Sequence, residues 1–147
     1  MKAAGIVLIL LALAIGVVPQ FTDCHSQGRM IELANGRTID MKCHWTARAE
    51  LAVAAPLLLI GLLTLTGKRK DTLRSLSIVG GVLGLFAILL PTALVGVCMS
   101  DEMLCNIAMK PTLILTGILS IVTSTAVFVT AMRPAAGGAA ASSSQPA

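Results

Sequence analysis

The sequence predicts an all-α integral membrane protein, four transmembrane helices under a small disulfide-linked extracytoplasmic cap. Three observations carry this. Of 147 residues, 56% are hydrophobic and 12% charged, more apolar surface than a soluble domain of this length can hide. The charges lie between or at the margins of four apolar runs. The four cysteines, at positions 24, 43, 98 and 105, all lie in or beside two polar connections. A net charge of +4 would suit nucleic acid, but charges interleaved with apolar runs do not build a basic face, so no nucleic-acid partner is expected.

The first helix is predicted at about residues 3–18, after the basic start Met1-Lys2 and before Pro19. Such a start also describes a signal peptide, with Ala12-Leu13-Ala14 as its cleavage site. Cleavage there would leave a very short apolar core, and the run continues to Val18, so an uncleaved helix is expected.

Residues 20–45 form the first polar loop. Asn35-Gly36 lies between the alternating stretches Met30–Ala34 and Arg37–Met41. Asn-Gly suits a type I′ turn, because both central residues need positive φ. A β-hairpin at about 30–41 is expected, with Met30 facing Met41 and Cys43 returning toward Cys24.

The second helix is expected at about 46–66, ended by Gly67 and the basic stretch Lys68–Arg74. The third is expected at about 76–97. Its Gly80 and Gly84 have the G-x-x-x-G spacing that lets a neighbouring helix approach closely. The fourth is expected at about 111–132, opened by Pro111, a good first-turn residue. Residues 1–132 thus make one transmembrane domain. Residues 133–147, rich in Pro, Ala, Gly and Ser, make a disordered cytoplasmic tail. Pro56 and Pro91 are the expected helix kinks. They free backbone carbonyls and splay helices two and three into a cleft beneath the cysteine loops.

Charge sets the orientation. Lys2, Lys68, Arg69, Lys70, Arg74 and Arg133 face one side with Asp71 as the only acid; the other side has five cations against six acids. Both termini and the 68–74 loop are therefore placed in the cytoplasm, and the cysteine loops outside. A faint repeat relates Cys43 and the run Pro56–Gly61 to Cys105 and the run Pro111–Gly117, as in a duplicated helical hairpin.

Exported thiols in even number pair by default. Four cysteines allow three pairings, and the within-loop bonds Cys24–Cys43 and Cys98–Cys105 are expected. A Cys43–Cys105 bond would instead tie the two loops together. Closing a loop of about 20 residues stabilises by about 3 kcal/mol in the chain-entropy picture. There is no C-x-x-C, so a thioredoxin-like centre and c-type haem attachment both lack their motif. A metal site would draw on Cys24, His25, Cys43, His44, Cys98, Met99, Met103 and Cys105. Their thiolates and thioethers suit Cu(I), and the imidazoles suit several metals or a haem. With the thiols paired, no cofactor is expected.

The stretch Met41-Lys42-Cys43-His44-Trp45-Thr46-Ala47-Arg48-Ala49-Glu50 puts a thiol, an imidazole, an indole, a cation and a carboxylate at a helix entrance. Trp45 is the interfacial anchor. His44, Trp45, Arg48 and Glu50 are candidates for contact with a partner or ligand. Glu50 is read either as favoured by the first-turn amides or as paired with Arg48 or a partner's cation. This M-x-C-H-W-T-A-x-A-E string resembles that of a family of small prokaryotic four-helix membrane proteins, a domain of unknown function. The resemblance covers about residues 1–132. It implies four helices in a prokaryotic inner or plasma membrane and assigns no site roles.

There is no P-loop, H-E-x-x-H or G-x-S-x-G in the chain, so no catalytic residue is nominated and no enzyme is expected. The function expected is a non-enzymatic accessory or scaffold subunit of a transport-type membrane complex, in contact with lipid and with a protein partner or a second copy. The alternative is an extracytoplasmic metal, haem or thiol-redox protein.

Overall fold

Each apolar run folds as a helix longer than its uncharged core. The computed structural model describes residues 2–67, 69–98 and 103–132. Among the described residues, four helices are long and apolar enough to cross a membrane, and a two-stranded sheet and a Cys24–Cys43 disulfide form the cap. Helix α1 spans Lys2–Thr22. It passes Pro19, which is fully buried; proline forfeits one backbone bond but keeps a helical φ. Helix α2 spans Lys42–Thr66. It starts four residues earlier than hydropathy suggests, because Cys43, His44 and Trp45 make a polar first turn. Pro56 sits inside it without breaking it.

Helix α3 spans Lys70–Leu89. Its first turn is polar too, and Leu73 is buried with Val127 and Ala131 at the far end of the bundle. At Pro91 the helix widens into a π-helical turn, Leu90–Leu94. Proline supplies no amide hydrogen, and the wide turn absorbs the gap. The segment then stops at Gly96, whose φ of 80° is the left-handed conformation that ends helices. A second π-helical turn, Cys105–Met109, leads into α4, Lys110–Met132.

Helix α1 packs chiefly on α2, and α3 chiefly on α4. Glycines set both approaches. A Cβ on Gly61 would meet Ile9 Cγ1 at 2.7 Å, and one on Gly117 would meet the Gly84 carbonyl at 2.8 Å. Gly80 and Gly84 face Ser124 and Ser120 of α4 in the same seam, the close approach their spacing implies. Lipid tails are as apolar as leucine, so tight van der Waals contact holds the helices together. Leu8, Ile15, Leu57, Met109 and Leu113 fill the centre; Leu10, Leu59, Leu115 and Val122 point outward.

The hairpin is real, but its register is one residue off the expectation. Strands β1, Ile31–Glu32, and β2, Thr38–Ile39, pair Ile31 with Ile39 and Glu32 with Thr38. Met30 therefore does not lie opposite Met41. The loop has three residues, Ala34-Asn35-Gly36, closed by Leu33 N–H to Arg37 O at 2.8 Å. Only Gly36 takes positive φ, at 76°. Asn35 keeps negative φ, and its side-chain oxygen accepts from Arg37 N–H at 3.2 Å, which a type I′ turn would not allow.

Candidate functional site

Four segment ends converge at one end of the bundle. Cys24 follows α1 in a turn held by Asp23, whose Oδ1 accepts from Ser26 N–H at 2.8 Å. Cys43 is the second residue of α2, Cys98 follows the glycine that ends the α3 segment, and Cys105 opens the π turn before α4. Cys24 and Cys43 form a disulfide. Cys98 and Cys105 carry free thiols.

The expected Cys98–Cys105 bond is therefore not made. The first loop is stapled by Cys24–Cys43 and the second is not, and the sulfurs of both loops meet in one cluster. Cys98 Sγ lies 3.6 Å from Cys24 Sγ and 3.5 Å from Cys43 Sγ. Cys105 Sγ lies 3.7 Å from Cys24 Sγ. All four sulfurs fall within 4.8 Å of one another. Cys24, Cys43 and Cys105 are buried and Cys98 is partly exposed. The Met41 thioether is 3.9 Å from Cys98 Sγ.

Neighbouring groups fix the cluster. Thr46 Oγ1 donates to Gly96 O at 2.7 Å, tying α2 to the segment that carries Cys98. Gln20 Nε2 donates to Ala47 O at 3.0 Å, tying α1 to α2. The Cys24 amide donates to Cys43 Sγ at 3.4 Å.

Beside the disulfide stand two histidine–carboxylate pairs. His44 Nδ1 is 3.0 Å from Asp23 Oδ2, and His25 Nδ1 is 3.0 Å from Asp40 Oδ1. The two imidazoles lie 4.9 Å apart, centre to centre. Burial pushes the Asp23 carboxyl up, but its hydrogen bonds to His44 and Ser26 outweigh this and leave it below its ordinary value. Sequence reasoning missed Met41, Asp23 and Asp40 here. The available signal was the dipeptide Cys-His, which occurs at both 24–25 and 43–44 and makes a histidine the next residue after each half of the disulfide.

The other expected site residues separate. Trp45 is 62% exposed, turned outward at the mouth. Arg48 is exposed, whereas Glu50 is fully buried. The expected Arg48–Glu50 pair is absent, since residues two apart on a helix point about 200° apart. Nor does Glu50 reach the first-turn amides, because α2 begins eight residues before it. Neither Glu50 oxygen has a partner among the described residues. Met103 packs partly buried against the core; Met99 and the 133–147 tail lie outside the described residues. The cavity at Pro91, about 300 Å³, is lined by Thr92, Gly96, Cys98, Asn106 and Lys110. It opens between the end of the α3 segment and the start of α4. A second, of about 290 Å³, is lined by Ile31, Met41, Lys42, Val97 and Cys98. Cys98 is the sulfur common to both.

No curated protein and no solved structure matches the chain. Residues 3–130 match the family described as a domain of unknown function, DUF4418, and the chain belongs to that family.

Proposed function

We propose that the cysteine-bearing end of this multi-pass membrane protein is a thiol–disulfide exchange centre. The observation that carries the reading is the placement of the free Cys98 thiol 3.6 Å and 3.5 Å from the two sulfurs of the Cys24–Cys43 disulfide. Exchange proceeds by thiolate attack on a disulfide sulfur, and depends on access and on the leaving thiolate. Cys98 has the access, through the two cavities that share it. Cys43 is the better leaving group, because the first-turn amides of α2 and the Cys24 amide at 3.4 Å meet its negative charge. Attack on Cys24 forms the Cys24–Cys98 bond as the Cys24–Cys43 bond breaks, and the electron pair leaves on Cys43. Cys105, at 3.7 Å, can then attack Cys24 and release Cys98. One S–S bond breaks for each that forms. Net turnover requires an external dithiol or disulfide of a partner protein, and that is the substrate class.

Charge distribution supports placing this end outside a prokaryotic plasma membrane, with both termini cytoplasmic, where thiols are exchanged rather than kept reduced. An accessory or scaffold role draws support only from lipid-facing surface, which any such bundle has.

The test is peptide mapping of oxidised Cys43→Ser. Cys24 is expected to be found joined to Cys98 or Cys105. Three free thiols in that variant would overturn the reading.

A further inference from the structure

We propose that the same four sulfurs, once reduced, form a closed tetrathiolate site for one thiophilic divalent cation of the Zn²⁺ type, so that metal and disulfide are alternative occupants of the cluster. This rests on the exchange reading only in that the disulfide must open first.

The geometry is that of a tetrahedral site in waiting. Zinc–thiolate bonds of about 2.3 Å place the sulfurs of a tetrahedron about 3.8 Å apart. Three non-bonded edges here are 3.5, 3.6 and 3.7 Å, and all four sulfurs lie within 4.8 Å of one another. Opening the Cys24–Cys43 bond is the main movement needed. Three of the four cysteines are buried, and four thiolates fill a tetrahedral shell, so no coordination position stays open. Such a site holds a metal rather than catalysing with it.

The donor set is narrower than the sequence suggests. The ligand atoms that gather within 4.8 Å of one another are the four sulfurs, and the Met41 thioether reaches only Cys98, at 3.9 Å. Four thiolates around one divalent cation leave two negative charges. Lys42 and Lys110 line the two cavities that meet at Cys98, where cations offset that charge. Each ligand comes from a different helix end, so one metal would bind all four helices together.

The chemistry balances. An external dithiol gives two electrons and two protons to the Cys24–Cys43 disulfide and becomes a disulfide itself. Metal entry then releases the four thiol protons to water. A partner's disulfide then takes two electrons from Cys24 and Cys43 and two protons from water to become a dithiol; the Cys24–Cys43 bond re-forms, Cys98 and Cys105 take up two further protons, and the metal leaves.

The test uses the full chain in detergent, reduced without oxygen, with Co²⁺ as the spectroscopic probe and Zn²⁺ as competitor. Reduced protein is expected to bind one Co²⁺ per chain with thiolate charge-transfer absorption, to lose it to Zn²⁺, and to melt at a higher temperature when loaded. Oxidised protein should bind none, a comparison that requires no mutation. Cys98→Ser and Cys105→Ser should each weaken binding by about 100-fold or more, while His25→Ala and His44→Ala leave it unchanged. Absence of saturable binding by reduced wild-type protein would overturn the proposal, as would a loss in His44→Ala equal to that in Cys105→Ser. Peptide mapping of Cys43→Ser reports on exchange independently. Bridged Cys24 without Co²⁺ binding removes the metal site alone; bound Co²⁺ with Cys24 unbridged removes exchange and leaves the metal site standing.

Discussion

The Thr46 hydroxyl donates to the Gly96 carbonyl at 2.7 Å, and this one bond fixes α2 against the segment that delivers Cys98. Thr46 is fully buried, and Gly96 has the positive φ of 80° that turns the chain toward the cluster. Thr46→Val keeps the shape and removes the donor, leaving a carbonyl without its partner. The expected loss is about 1–3 kcal/mol, with faster alkylation of Cys98 as its segment loosens. Chemical denaturation in detergent measures the first and timed thiol labelling the second. Unchanged labelling would show that Gly96 is held by other contacts.

The α3–α4 seam gives a steric prediction. A Cβ on Gly117 would stand 2.6 Å from Ile88 Cγ1 and 2.8 Å from the Gly84 carbonyl; one on Gly81 would meet only Ser124 Cβ, at 3.9 Å. Gly117→Ala must push the helices apart and should destabilise by about 1–3 kcal/mol. Gly81→Ala should be neutral or gain about 0.5–1 kcal/mol from the lower chain entropy of alanine in a helix. Equal effects in the two variants would disprove close packing in this seam.

Asp23 gives a pH prediction. Its carboxyl is held below the ordinary value of 3.8 through its bonds to His44 and Ser26, despite burial. A depressed folded value means stability that is present above the unfolded value and lost as pH falls through the folded one. Wild-type melting temperature should therefore hold steady from neutral pH to about 4 and fall below that. Asp23→Asn should melt lower at neutral pH and change less in acid. A wild-type profile that rises on acidification below pH 4 would contradict the assignment.

The four spans were legible because hydropathy is a bulk property that survives ignorance of packing. The starts of α1 and α4 were legible too, to within one residue; those of α2 and α3 were not. Cys43-His44-Trp45 and Lys70-Asp71-Thr72 are polar or mixed turns that hydropathy assigns to loops, yet the first is tied to Cys24 by a disulfide and the second leads to buried Leu73. The hairpin was legible and its register was not, since Asn-Gly serves two- and three-residue loops alike. Of the two within-loop bonds expected, Cys24–Cys43 formed, and Cys98–Cys105 failed for a longer-range reason. Whether Cys98 meets Cys105 or the Cys24–Cys43 pair depends on how two helical hairpins dock, and no local spacing encodes that.

Glu50 yields the last prediction. It lies seven residues after Cys43 on α2, which returns it to the same face two turns deeper. It is fully buried, and neither oxygen has a hydrogen-bond partner among the described residues. Arg48 is exposed on the opposite side. A polar group left unpartnered in a helix bundle costs about 1–3 kcal/mol in lost hydration. Glu50→Met, similar in volume and flexible, removes that cost, so the variant should melt at a higher temperature than wild type. Glu50→Gln keeps the shape and should be near neutral, and Arg48→Gln should change nothing. Melting curves in detergent for the three variants decide it. Had Glu50 a buried cationic partner, Glu50→Gln would strand that charge and lose about 3–5 kcal/mol. A loss of that size would place a cation against Glu50 in the folded protein; a gain in Glu50→Met would mark the carboxyl as a group the fold carries at the expense of its own stability.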